Sequence, residues 1–103
     1  MSPTLKTLRN RLEYRCLGSE DYVVVIREIA RTGDVDAVRI LGRLLDSTGP
    51  IAHEAMEALV GFGEAAVPEM VRRRDRSMDS DVIRHAKKVL ARIEARTAQR
   101  VAA

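Results

Sequence analysis

The chain has 103 residues, 46% of them hydrophobic and 32% charged, with a formal net charge of +3. That balance suits one folded, soluble domain, and it excludes a membrane span, because the longest purely apolar stretch is the four residues Val23–Ile26 against the ~18 a span requires. The single cysteine, Cys16, excludes an internal disulfide framework and fits a reducing compartment. The opening Met1–Lys6 carries no apolar signal-like region, so the cytoplasm is the expected location. Tyr14, Tyr22 and Phe62 are the only aromatic residues, too few for the stacking platforms on which single-stranded nucleic acids are usually held.

In chain order, six helices are predicted, each ended by a breaker. The first spans about 3–16, with Ser2 as its cap, Pro3 where a missing N–H matters least, and Gly18 closing it in a left-handed conformation. Leu5, Leu8 and Leu12 recur at spacings of three and four, which is one helical stripe. The second spans about 20–32, capped by Ser19 and stopped by Gly33. Its Tyr22-Val-Val-Val-Ile26 run alone would pass for a buried strand, but Ile26, Ile29 and Ala30 restore helical spacing. A third helix follows Asp34 over about 35–46, a fourth covers about 50–61, and a fifth covers about 65–74 with Pro68 in its first turn. The sixth spans about 80–96, and residues 97–103 are expected to fray.

These helices repeat. A 30-residue offset lays Ile29 on Leu59, Asp34 on Glu64, Ile40 on Met70 and Leu41 on Val71, and a 31-residue offset lays Ile51, Ala55 and Leu59 on Val82, Ala86 and Leu90. A unit of helix, glycine turn, helix and acidic turn thus recurs about two and a half times, the signature of stacked helical hairpins. The segment Asp79-Ser-Asp-Val-Ile-Arg-His-Ala-Lys-Lys-Val-Leu-Ala-Arg-Ile93 resembles the short HEAT-like repeat of bacterial proteins, the phycobilisome-lyase type. The elements that match are the acidic turn at Asp79 and Asp81, the Val82-x-Arg84 start, the small Ala86 and the Val89-Leu90 pair. The block Ile51–Met70 matches in the same way, including its early Pro68. The likeness covers about Ser19–Glu94, and Tyr22–Val25 departs from it by lacking the small residue and the arginine. It implies an all-α fold, a short right-handed α-solenoid of about six antiparallel helices forming one domain over 1–103. It also implies a scaffold role that the fold alone does not specify.

No catalytic constellation emerges. His53 and His85 fall on the fourth and sixth helices and read as solvent-facing residues among charged neighbours, too few to bind a metal. Cys16 reads as a small buried hydrophobe. Acidic residues at helix starts, such as Asp34, Glu64, Asp79 and Asp81, read as caps and dipole partners, and the glycines never adopt a phosphate-binding spacing. The expectation is a non-enzyme without cofactor or metal.

Charge carries more information. Residues 1–18 hold a net +3, residues 19–67 a net −5 and residues 68–103 a net +5. In the resembled repeat the second helix of each pair lines the inner face, which places helices one, three and five there. Their outward positions hold Lys6, Arg9, Arg39, Arg43, Arg72, Arg73 and Arg76, a candidate basic strip for a protein partner. Contact with a nucleic-acid backbone is the second reading, and solvated side chains covering apolar surface are the bland one. An accessory role beside an enzyme is a further alternative. The end helices each leave an apolar flank, so a homodimer through them is also expected to be feasible, and an Ile93→Glu change is expected to abolish it while leaving the monomer folded.

Overall fold

The computed structural model describes residues 1–13 and 18–102. Its α-helices are α1 (Pro3–Glu13), α2 (Ser19–Arg31), α3 (Asp36–Arg43), α4 (Gly49–Phe62), α5 (Val67–Arg76) and α6 (Ser80–Ala102). Among the described residues there is no strand, and the Tyr22–Ile26 stretch is helical as expected. The expectation of six separate helices needs one correction. A 3-10 turn, Gly63–Ala66, joins α4 to α5 with no non-helical residue between them, so the described chain forms five continuous helical runs. Gly63 lies at φ 62°, where a side chain would be strained; α-geometry stops there and resumes at Val67. Pro68 stands in the first turn of α5, where its missing N–H removes no helical bond.

Side-chain acceptors set three of the six α-helix starts. The backbone N–H of Leu5 donates to the Ser2 hydroxyl at 3.2 Å, Asp36 N–H donates to the Asp34 carboxylate at 2.9 Å, and Asp81 N–H donates to the Asp79 carboxylate at 2.8 Å. These are the acceptors that orphaned first-turn amides require. The start of α2 differs from expectation. Gly18 is extended at φ −71°, ψ 167° and takes the N-cap position itself, with Ser19 already inside the helix. Gly18 is therefore not the left-handed stop foreseen for the first helix; that role is taken at the end of α2 by Gly33, at φ 65°. The predicted end of the first helix at residue 16, with Cys16 itself, lies outside the described residues. At the other terminus α6 continues through 97–102, beyond the point near Arg96 where fraying was expected.

Helix ends are also closed by side chains from other helices. The Tyr22 hydroxyl donates to the Leu12 carbonyl in the last turn of α1 at 2.9 Å. An Arg96 guanidinium N–H donates to the Val60 carbonyl of α4 at 3.3 Å. His85 Nδ1 lies 2.8 Å from the Leu45 carbonyl, which belongs to a 3-10 extension of α3, Leu44–Asp46; since a carbonyl only accepts, Nδ1 carries the proton. His85 is 8% exposed, so the solvent-facing reading holds for His53, which is exposed, and is corrected for His85.

One core runs through the molecule. Leu5, Leu8 and Leu12 from α1 join Ile26 and Ile29 from α2, Leu41 from α3 with Leu45 beyond it, Leu59 from α4, Met70 from α5, and Val89 and Ile93 from α6. Helix α4 packs against α2 on one side and α6 on the other, while α3 packs against α5. Two ion pairs lie across the first set: Arg27 reaches Glu54 at 2.8 Å and Arg92 grips both oxygens of Glu57. Ile93 is only 4% exposed. It is a core residue and no free flank, so Ile93→Glu would bury a charge and unfold the monomer, contrary to the expectation for a dimer-specific change.

Candidate partner-binding face

Helices α3 and α5 lie side by side in parallel. Val35, Asp36 and Arg39 of the α3 side share a shallow groove with Ala65, Pro68, Glu69 and Arg72 of the α5 side, and one to two turns further along Gly42 meets Arg73. The step from Gly42 to Arg73 is 31 residues, one more than the 30-residue offset that lays α3 on α5 in the sequence. Arg43 and Arg73 stand 30 residues apart, and their charges are near enough to repel.

The contact at Gly42 is close. A Cβ built there would touch Arg73 Cδ and Cζ at 3.4 Å and would lie 2.7 Å from its Nε, the last nearer than non-bonded atoms approach, so the bare glycine is what lets the guanidinium lie across α3. Glycine inside a helix is unfavourable by about 1 kcal/mol relative to alanine, and the seat for Arg73 is the compensating feature. Arg73 keeps 19% of its side-chain surface exposed. Its Nε is buried without a hydrogen bond, and the nearest acceptor, Glu69 Oε2 at 3.4 Å, is an ion-pair contact whose alignment is not that of a hydrogen bond. Both oxygens of Glu69 are taken by Arg72, at 2.7 and 2.6 Å. Burial pushes the Arg73 guanidinium below the ordinary arginine range; Glu69 opposes that shift, and the neighbouring Arg72 and Arg43 add to it.

The strip foreseen from sequence is only partly assembled. Arg39, Arg43, Arg72 and Arg76 are exposed on α3 and α5 and Arg73 is half-buried between these helices. Among the described residues Arg39, Arg43 and Arg76 form no ion pair. Lys6 and Arg9 sit on α1, one exposed and the other half-buried with its Nε lacking a hydrogen bond, and no bond among the described residues joins them to the α3–α5 arginines. The run Arg72-Arg73-Arg74 splits between two sides. Arg74 pairs with Asp75 at 2.8 Å and lines a groove with Val67, Leu90, Ile93 and Thr97 between α5 and α6. Gly42 and Glu69 were not singled out from sequence. A glycine inside a strongly apolar-striped helix, one repeat length before an arginine, was the available signal.

The histidines sit elsewhere. His53 and His85 share a groove between α4 and α6 with Met56, Glu57, Lys88 and Arg92, and among the described residues no three His, Cys, Asp or Glu side chains form a metal-binding group. No described helix is long and apolar enough to cross a membrane. No family model, curated protein or solved structure matches the chain.

Proposed function

We propose that this chain is a non-catalytic protein-interaction module, a short α-solenoid of the HEAT-like kind, that engages an acidic partner through the α3–α5 face. The observation that carries the reading is the charge imbalance of that face. Arg72 and Arg73 both meet Glu69, Arg43 lies near Arg73, and Glu69 is already held by Arg72. A surface under no demand tends to intersperse opposite charges; this one leaves cations without partners, and such surplus steers acidic surfaces and fixes their register.

The solenoid part of the reading is supported by the packing of α3 against α5, the two helices that the 30-residue offset lays on one another. The bacterial, cytoplasmic setting implied by the resemblance belongs to the same proposal. A duplex backbone suits the face less well. The molecule is 43 Å long, and residues 19–67 carry a net −5, so a phosphate track along that length would meet carboxylates as well as arginines.

The test is affinity capture from a lysate with the chain as bait, beside a variant in which Arg39, Arg43 and Arg76 are replaced by Gln. These three are exposed, so the variant should fold. A protein that survives nuclease treatment and is lost with the triple variant is the expected result. An identical catch with the variant, or recovery that disappears on nuclease treatment, contradicts the reading.

A further inference from the structure

The α3–α5 face contains one feature that general basicity does not explain. Four of its arginines extend into water, as long charged side chains ordinarily do, while Arg73 is drawn down onto Gly42 and held there with an unsatisfied Nε. Placing a guanidinium where it loses water without gaining a well-aligned acceptor is unfavourable. Arg43 and Arg72 raise that cost by repulsion. A second carboxylate offsets that cost by meeting the part of the guanidinium that stays exposed, 19% of the side chain, because a planar guanidinium pinned in one orientation by its buried Nε binds a carboxylate with little further ordering. Glu69 shows which chemistry the surroundings accept: a carboxylate 10% exposed, taken by Arg72 through two short contacts and only grazing Arg73.

We propose that Arg73, seated on Gly42 and flanked by Arg43, is the specificity-determining socket of this face, and that it takes a side-chain carboxylate from an acidic peptide segment of a partner protein. This rests on the reading of the α3–α5 face as the partner-binding surface and adds the residue that selects the ligand. Glu69 is the internal competitor: it neutralises part of the cluster and sets a threshold that weakly acidic peptides fail to pass. Gly42 is a positioning residue that acts only through Arg73.

The test is fluorescence anisotropy with a labelled decapeptide of alternating Asp and Glu, at low salt, using the full chain and three single variants of known helicity. Gly42→Ala places a methyl group 2.7 Å from the present position of Arg73 Nε, so that the side chain must shift off its seat, and should favour the helix by propensity, so it retains all charges and the fold. It is expected to weaken peptide binding by about tenfold, the loss of one charge-assisted hydrogen-bonding site. Glu69→Gln removes the competitor and is expected to tighten binding severalfold, a gain that a purely structural role for Glu69 would not produce. Lys88→Gln, in the α4–α6 groove, is expected to bind as the unaltered chain does. Equal binding by Gly42→Ala and the unaltered chain overturns the socket while leaving the face reading intact, since Arg39, Arg43 and Arg76 would then carry the affinity. A DNA duplex that competes at lower concentration than the unlabelled peptide overturns the assignment of a peptide ligand. Absence of any peptide binding overturns it as well.

Discussion

His85 illustrates how much one buried polar residue can hold in place. Its Nδ1–H meets the Leu45 carbonyl 40 residues away, at the point where α3 tightens into its 3-10 end and would otherwise bury an acceptor without a donor. His85→Ala removes the donor and opens a void, and is expected to reduce unfolding free energy by about 1–3 kcal/mol. His85→Asn returns an N–H near the Nδ1 position and should recover part of that loss in a urea titration. Equal destabilisation by both variants would mean that ring packing, and not the hydrogen bond, is what matters. The residue was visible in the sequence only as a histidine among charges. A partner 40 positions away leaves no local trace, which is also why the Gly42–Arg73 contact could not be read from composition.

At the scale of elements, the apolar stripes were legible because each helix obeys the 3.6-residue period and buries the residues that the period selects. Leu5, Leu8 and Leu12 are all buried, as are Leu41, Leu59, Met70 and Val89. The boundaries were less legible where nonlocal groups set them. Tyr22, His85 and Arg96 close helix ends on other elements, and the join of α4 to α5 depends on Gly63 adopting a positive φ while remaining within a helical run. Leu59, fully buried on α4, is the central core position, and Leu59→Ala should destabilise the fold by about 2–5 kcal/mol in thermal or urea unfolding. The ion pairs that flank α4 predict an acid-sensitive stability. The Arg27 hydrogen bond holds Glu54 below its ordinary value, and the Arg92 hydrogen bond does the same for Glu57. A carboxylate whose folded pKa is depressed contributes stability above its unfolded value and loses it as pH falls through the folded value. Tm is therefore expected to be flat from neutrality to about pH 5 and to decline below about pH 4.3. In an E54Q/E57Q variant that acid limb should be shallower; superimposable limbs would assign the acid sensitivity to other carboxylates.

For the molecule as a whole, the 30-residue offset lays α3 on α5 and those two helices pack together, while the Gly42–Arg73 contact stands one residue off that register. Arginine is concentrated on α3 and α5, which hold Arg39, Arg43, Arg72, Arg73, Arg74 and Arg76. Lys6 and Arg9 of the basic strip belong to α1, whose start is tied to the start of α3 by the Met1–Asp36 ion pair and the Ser2–Asp34 hydrogen bond, and no described bond links their side chains to the arginines of α3 and α5. Charge counting along a chain cannot distinguish a residue that faces the same way from one that faces the same neighbour. Binding through the α3–α5 face should weaken with salt, since its exposed charges are screened beyond a Debye length of about 8 Å at physiological ionic strength, but less steeply than release of many phosphate counterions would require. The most direct measurement is site-specific photo-crosslinking in the cell of origin, with the reactive group placed at position 39 on α3 and, separately, at position 88 on α6. Protein adducts from position 39 alone, unchanged by nuclease, are the result expected of an acidic partner held on the α3–α5 face. Adducts arising chiefly from position 88, or nucleic-acid adducts from position 39, would contradict it.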